Sequence, residues 1–224
     1  GTCGTNLTWE LTPMGELIIE GKGDMSNFMD YNTPWFDYRT SIEKISIGEG
    51  VTSIGNWAFY NCNNIESIDL SKDLTHIGNY AFRGCSSLTS VTIPEGVTSI
   101  GYGVFSGCDN LASIVVEDGN IKYDSRNDCN AIIKTSTNTL IQGCSTTIIP
   151  ESVISVGYNA FNDCNNLTAI EIPEGVVNIE DYAFSGCESL ANINVSKNLI
   201  SVGGDAFSNT AWYDAQPNGL VYVG

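Results

Sequence analysis

The chain has 224 residues, of which 42% are hydrophobic and 16% charged, a composition that excludes a disordered or fibrous protein. Its 26 Asp and Glu against 9 Lys and Arg give a formal net charge of −17, so nucleic acid and anionic lipid are excluded as partners. No apolar run approaches the roughly 20 residues that cross a bilayer, so no membrane insertion is expected.

The first 41 residues are predicted to form a β-rich N-terminal cap. Apolar residues alternate at Leu7, Trp9 and Leu11 and again at Leu17 and Ile19, with turn residues 13–15 between the two runs. This alternation is typical of two strands joined in a hairpin. No signal segment with basic and then apolar residues opens the chain, so an exported protein would be expected here in processed form.

From residue 42 onward the sequence is built from a repeat. Residues 88–110 and 167–189 share 12 of 23 residues, and the unit recurs in phase along the chain. Such a period predicts a solenoid in residues 42–224. The seven units are named below by their first residues: Ile42, Ile65, Leu88, Leu111, Cys144, Leu167 and Leu190.

Each unit opens with apolar residues at positions 1, 4 and 6, as in Ile65, Ile68 and Leu70. Positions 4 and 6 of a strand share one face, so the pattern predicts short parallel strands stacked on one side of the solenoid. Turns and short helical or irregular segments are expected on the other side. Positions 3 and 5 face outward and are mostly small or polar, which makes the strand face a poor candidate for tight binding.

One unit is longer than the others. It spans residues 111–143, and apolar runs at 131–133 and 139–141 predict a hairpin within it. We expect this departure to disturb the sheet and to provide a candidate binding element. Its acidic segment 117–128 lacks the ligand order of a calcium-binding EF-hand loop, because Lys122 occupies a ligand position, so a solvated loop is favoured.

The C-terminal end carries no comparable polar cap. An apolar run, Leu220 to Val223, closes the chain soon after Trp212. Since solenoids need covered ends, we expect this end to be truncated from a longer protein or to meet another chain.

The cysteines and the single histidine follow the phase of the repeat. Five cysteines share position 21, which predicts a column of buried thiols rather than a disulfide framework. His76 replaces a surface serine of other units, and no second histidine is available as a catalytic base. No catalytic, cofactor-binding or metal site is therefore predicted, while the disulfide state of Cys3 and Cys129 stays open. The five column residues are Cys62, Cys85, Cys108, Cys164 and Cys187.

The segments at 93–101 (Ile-Pro-Glu-Gly-Val-Thr-Ser-Ile-Gly) and 183–187 (Ala-Phe-Ser-Gly-Cys) resemble the BspA-like leucine-rich-repeat family of bacterial surface proteins. The resemblance covers almost the whole chain. It implies a leucine-rich-repeat-like solenoid in an extracellular or cell-surface protein that is not an enzyme. It also implies binding to host, matrix or other cell-surface proteins. It assigns no functional residue, because the family's signature positions belong to the scaffold.

Aromatic residues recur at position 15 or 16 of successive units. We predict a possible partner surface there, with packing between units as the structural alternative. Three functions remain open on the sequence: a protein-interaction or adhesion module, a carbohydrate-binding module attached to a larger secreted protein or enzyme, and a spacer. This set, called the aromatic stripe below, comprises Trp57, Tyr80, Tyr102, Tyr158 and Tyr182.

Overall fold

A computed structural model describes residues 1–29 and 31–216. The first strands are β1 (Leu7–Leu11), β2 (Glu16–Gly21), β3 (Gly23–Asp24), β4 (Lys44–Ile47), β5 (Val51–Ile54), β6 (Ser67–Asp69), β7 (His76–Ile77), β8 (Ser90–Ile93) and β9 (Ser99–Ile100). They are followed by β10 (Ser113–Val116), β11 (Tyr123–Asp124), β12 (Ile132–Lys134), β13 (Thr139–Gln142), β14 (Ser155–Val156), β15 (Ala169–Glu171), β16 (Asn178–Ile179), β17 (Asn192–Asn194) and β18 (Ser201–Val202). Two 3-10 helices span Phe36–Ser41 and Arg126–Asp128, and one helical turn, α1, spans Ala211–Asp214.

The fold is a leucine-rich-repeat solenoid, as the sequence predicts. The strands at positions 3 to 6 form the first ladder, in which β4 pairs in parallel with β6, β8 with β10, and β15 with β17. β6 and β8 belong to separate sheets. Apolar residues at positions 1, 4 and 6 point inward, and Ile42, Ile45 and Leu88 are fully buried. Buried side chains of adjacent units therefore stack into a core that runs along the solenoid in two clusters, one on each side of the elongated unit.

A second ladder of strands runs along the solenoid, a feature that the sequence pattern did not predict. It consists of two- to four-residue strands near position 12 of each unit, which again pair in parallel. This second ladder has two parts. The first is β3-β5-β7-β9, on the N-terminal side of the elongated unit, and the other is β11-β12-β13-β14-β16-β18, from the elongated unit onward.

The N-terminal strands extend the stack. β1 and β2 form the expected antiparallel hairpin, and β2 then pairs in parallel with β4 of the first unit. Trp35 is fully buried, and its ring stacks on Phe59 with the centroids 5.5 Å apart. The first 41 residues thus cover the apolar end of the solenoid, while the boundaries at residues 41 and 42 stay a prediction.

The elongated unit interrupts the first ladder. Its strands β12 and β13 form the predicted antiparallel hairpin, and β13 joins the second ladder beside β14. In the following unit, residues 144–149 form no strand. Thr146 Oγ1 instead donates to the carbonyl of Ala112 (2.6 Å). The expected disturbance of the sheet is therefore present, and it lies on the strand face.

The elongated unit lacks the Phe-containing turn that carries Phe59 and Phe82 in other units. The buried side chain of Gln142 takes the place of this missing turn. In other units the main-chain N–H of Phe59 or Phe82 donates to the next unit, at Ala81 or Val104. The N–H of Phe105 has no such partner and donates to Oε1 of Gln142 instead (3.3 Å). Nε2 of Gln142 donates to the carbonyls of Gly143 and Ala160, at 3.0 and 3.2 Å. One side chain thereby satisfies backbone groups on both sides of the gap.

The last described unit ends in a helical turn. The Thr210 hydroxyl accepts a hydrogen bond from the N–H of Tyr213 (3.0 Å), and the Trp212 ring lies 5.2 Å from that of Phe207. This turn partly covers the final unit, where Ile200 is exposed. The apolar run from Leu220 to Val223 lies outside the described residues. None of the helices within residues 1–29 and 31–216 has the length and apolarity to cross a bilayer.

Candidate functional site

In three of the six 23-residue units, position 15 is an amide or carboxylate whose side chain links one unit to the next. The side-chain oxygen of Asn56 accepts a hydrogen bond from the main-chain N–H of Asn79 (2.7 Å), and that of Asn79 accepts from the N–H of Tyr102 (2.9 Å). Asp181 accepts from the N–H of Gly204 in the same way (2.6 Å). These contacts satisfy donors that the turn would otherwise leave unpaired. Position 15 therefore has a scaffold role in these three units.

Position 16 of the repeat unit adopts a left-handed backbone conformation, with φ angles of 57° for Trp57, 55° for Tyr80 and 58° for Tyr182. This conformation is uncommon for bulky residues. The rings of Trp57 and Tyr80 stack with their centroids 4.5 Å apart. The Tyr80 hydroxyl accepts a hydrogen bond from Nδ2 of Asn159 (3.0 Å). These two members of the aromatic stripe therefore pack between units, as in the structural alternative.

Two other members of the stripe stand one position earlier in their units. Tyr102 and Tyr158 occupy position 15, while Gly103 and Asn159 take the left-handed position behind them, with φ angles of 56° and 57°. Tyr102 is 58% exposed. Its ring meets that of Tyr158 edge to face at 5.2 Å, and Tyr158 meets Tyr182 at 5.9 Å. In these two units, a tyrosine ring therefore takes the place of the amide or carboxylate at position 15.

Both tyrosines flank the elongated unit. Because that unit contributes no turn on this side, side chains of unit 65 reach across unit 88 to unit 144. Arg83 Nη2 lies 2.8 Å from Asp163 Oδ2. Unit 88 makes room for these contacts with glycine, since a Cβ at Gly103 would stand 2.6 Å from the Tyr80 ring. The interruption of the repeat therefore brings Tyr102 and Tyr158 together.

A groove of about 530 Å³ opens between these tyrosines and the hairpin. We call it the hairpin groove. One wall consists of His76, Asn79 and residues 99–102 of the upstream units. Lys134, Thr137, Thr139 and Ile141 of the hairpin form a second wall, and Gly157, Tyr158 and Glu180 form a third. The two candidate binding elements of the sequence analysis, the aromatic stripe and the hairpin, therefore meet at one groove.

The polar groups of the hairpin groove are suited to binding. Asn79, Thr137 and Thr139 provide neutral hydrogen-bonding groups, while Lys134 and Glu180 are the charged residues among those that line the groove. Glu180 already accepts hydrogen bonds from the N–H of Tyr158 (3.0 Å) and the hydroxyl of Ser155 (3.3 Å). Glycoside hydrolysis uses two carboxyl groups across a cleft. Only one carboxylate lines this groove.

The sequence could not identify Asn79, Lys134, Thr137 and Glu180 as groove residues. They come from different units and from the hairpin, and only the missing turn brings them together. The available signal was the move of the tyrosine from position 16 to position 15 in the two units that flank the elongated one. His76 does replace serine on β7, where it faces Ser53 and Ser99, and it also lines the groove.

The thiols of the cysteine column are buried, as predicted. Burial raises the pKa of the Cys62 thiol to about 12 and that of Cys187 to about 12, so both stay protonated near neutrality. Burial also raises the pKa of Cys3, to about 11. All eight cysteines lie in the described part of the chain as free thiols. Within that part, no three or more His, Cys, Asp and Glu side chains are arranged to hold a metal ion.

The strand face has few features of a binding surface, with one exception. Most residues at positions 3 and 5 are small or polar, whereas Ile148 is 76% exposed and Val115 is also exposed. Both apolar residues lie where the first ladder is interrupted. Among the described residues, no aromatic ring lines the pocket that contains Ile148, so the hairpin groove remains the stronger candidate.

Comparison with solved structures supports the fold. A leucine-rich cell-surface protein of Faecalibacterium prausnitzii superposes with a TM-score of 0.63 at 19% identity, over 92% of this chain and 79% of that one. The pneumococcal vaccine antigen PcpA gives 0.57 at 16% identity, over 88% and 70% of the two chains. A leucine-rich-repeat protein of T. pallidum gives 0.50 at 24% identity, over 94% and 89%.

Sequence comparison identifies the family. No curated protein sequence matches the chain. A family model described as a BspA-type leucine-rich-repeat region, with six copies, matches residues 32–133 and 131–216. These ranges include every regular unit and the elongated one. The chain therefore belongs to the BspA-type leucine-rich-repeat family.

Proposed function

We propose that the chain is a non-catalytic protein-interaction module of a bacterial surface or secreted protein and that it acts in adhesion. The observation that carries the proposal is the pair Tyr102 and Tyr158, which stand one position out of phase with the scaffold and line the hairpin groove. Tyrosine is among the residues that dominate binding energy at protein interfaces. The expected partner is a host, matrix or other cell-surface protein.

An extracellular or cell-surface location is part of the proposal. It is supported by membership of the BspA-type family and by the fold shared with the F. prausnitzii cell-surface protein. A non-catalytic role is supported by the protonated, buried thiols and by the single carboxylate of the groove. The net charge of −17 favours a partner surface that is neutral or basic.

The proposal is tested by binding of the purified chain to immobilised host extracellular-matrix protein. The variants are Tyr102→Ala and the double variant Tyr102→Ala/Tyr182→Ala, since Tyr182 is 39% exposed at the end of the stripe. Loss of an interface hot spot costs about 2 kcal/mol or more, so we expect binding to weaken by roughly tenfold or more. Biolayer interferometry measures the change.

The matched control is Tyr38→Ala, which removes an equally accessible tyrosine (53% exposed) far along the chain, in the N-terminal 3-10 helix. Thermal unfolding must show that each variant is folded. Equal binding by wild type, the control and both stripe variants would exclude Tyr102 and Tyr182 as contact residues and contradict the proposal, which requires the exposed Tyr102 ring. A wild-type chain that binds no matrix protein would favour the spacer function instead.

A further inference from the structure

Main-chain N–H groups on the walls of the hairpin groove already have hydrogen-bond partners. The N–H of Ile100, on the outer edge of β9, donates to the Tyr123 hydroxyl (3.1 Å). On the opposite wall, β13 is paired on both sides, with β12 and with β14. Extended peptides that add to a sheet rely on free main-chain groups of an edge strand. The groove therefore does not offer the usual means of binding a peptide strand.

The N–H groups of the two tyrosines are occupied as well. That of Tyr102 donates to Asn79 and that of Tyr158 to Glu180. The N–H of Gly157, between them in the groove wall, donates to the carbonyl of Leu140 (2.8 Å). These N–H groups are therefore not free to bind a ligand, which leaves the side chains of the groove as its principal contacts.

The available side chains combine aromatic rings with neutral polar groups. Tyr102 offers an exposed ring, and the same groove is lined by Asn79, whose side-chain oxygen accepts from the N–H of Tyr102 while its Nδ2 is a further donor. Thr137 and Thr139 add two hydroxyls, of which that of Thr139 donates to that of Thr137 (2.9 Å). A sugar ring has a complementary surface, because one face presents C–H groups that pack on an aromatic ring while its hydroxyls hydrogen-bond to amides and hydroxyls. A mixed pocket with a few convergent polar groups is also typical of small-ligand sites.

The charges of the groove and of the whole protein favour neutral over acidic sugars. Lys134 and Glu180 oppose each other in sign among the lining residues, so the groove has little net charge of its own. The whole chain carries a formal charge of −17, which repels sialylated and sulfated glycans. A neutral oligosaccharide fits both the local and the overall charge.

We infer that the hairpin groove binds a neutral oligosaccharide, with Tyr102 and Tyr158 as the contact rings. The inference rests on the proposed function, because it makes a glycan of the bound surface protein the group that the module recognises. It also assigns the elongated unit a role: the hairpin forms the wall that a regular unit could not provide.

The test uses an array of free mammalian oligosaccharides, neutral and sialylated, followed by calorimetric titration of the neutral oligosaccharide that binds best. Tyr102→Ala should weaken the binding of this oligosaccharide at least tenfold, whereas Tyr102→Phe should retain most of the affinity because it keeps the ring. Tyr38→Ala is the matched control and should bind as wild type. Thermal unfolding confirms that each variant is folded.

Matrix protein treated with glycosidases separates this inference from the proposed function. Matrix binding that persists after removal of glycans, with no oligosaccharide bound on the array, would overturn the inference and leave the protein-binding function intact. The inference would also be overturned if Tyr102→Ala did not weaken oligosaccharide binding, or if the protein preferred sialylated oligosaccharides. Binding of free oligosaccharide without any binding to matrix protein would support the glycan site and contradict the proposed partner.

Discussion

At the scale of single residues, the position of a residue within the repeat unit determines which substitutions it tolerates. Position 20 of six units is left-handed, and it is occupied by glycine, asparagine or aspartate, the residues that tolerate this conformation best. Two of its glycines differ in surroundings. A Cβ added at Gly107 would have no neighbour closer than 3.5 Å, whereas one at Gly186 would lie 2.2 Å from Oδ1 of Asp163.

We expect Gly107→Ala to lower the free energy of unfolding by about 1 kcal/mol, the cost of a left-handed L-residue. Gly186→Ala should cost more than about 2 kcal/mol, because Arg83 holds the Asp163 side chain that must move away. Urea unfolding of the two variants measures the difference. Equal losses would mean that the contact with Asp163 adds nothing to the backbone strain.

At the scale of structural elements, the junction around the elongated unit depends on long-range side-chain contacts. Arg83 of unit 65 bridges to Asp163 of unit 144, and both side chains are 34% exposed. Burial raises the pKa of the Asp163 carboxyl, and the Arg83 guanidinium opposes this rise, while Asp109 and Glu188 add to it. The arginine therefore limits the cost of keeping this carboxyl ionised at the junction.

Arg83→Ala should destabilise the protein more at pH 7 than at pH 4. Without the arginine, the folded-state pKa of Asp163 rises further above its unfolded value, which is about 4. A raised carboxyl pKa stabilises the folded state at pH values below the unfolded pKa, and this stability is lost as the pH rises through the folded pKa. Urea unfolding of wild type and variant at the two pH values measures the difference.

Lys72→Ala provides the control, because Lys72 and Glu49 form an ion pair that is exposed to solvent on both sides. It should change stability little and equally at both pH values. A loss in Arg83→Ala that is the same at pH 4 and pH 7 would show that the carboxyl of Asp163 is not responsible.

At the scale of the whole molecule, the core is divided at the elongated unit. Rings stack in one column through Phe59, Phe82 and Phe105, and in a second through Phe161, Phe184 and Phe207, with neighbouring centroids 4.8–5.5 Å apart. Gln142 stands between the two columns. The buried side chains likewise group into two clusters that meet within residues 129–144. Since repeat units are stabilised mainly by their neighbours, the two halves should respond separately to core mutations.

Phe184→Ala should increase amide hydrogen exchange in residues 144–216 and leave residues 42–110 close to wild type. A buried phenylalanine contributes about 3–5 kcal/mol, and neighbouring units share the loss. Hydrogen exchange followed by mass spectrometry resolves the two segments. Phe82→Ala is the matched variant and should give the reverse pattern, whereas uniform exchange in either variant would indicate a single cooperative unit.

Much of this architecture follows from the sequence, because the apolar positions of the repeat are local and periodic. Ile65 and Leu88 could be placed in the core, and the hairpin could be placed in the elongated unit. The second ladder could not be predicted, since strands as short as His76–Ile77 contain too few residues to show an alternating pattern. The site was only partly predictable. Tyr102 and Tyr158 were in the predicted stripe, but the groove arises from a turn that is missing.

The hairpin separates the residues of the proposed binding groove from the residues that pack in the core. Its buried residues Ile132, Ile133 and Leu140 join the two core clusters, whereas Lys134 and Thr137 lie at the tip and contribute to the groove wall. Changes at the tip alter the groove without disturbing the stacked rings or Gln142. A single short segment can thus be exchanged to reshape the proposed binding groove on an unchanged scaffold, which makes this hairpin a natural starting point for engineering binders.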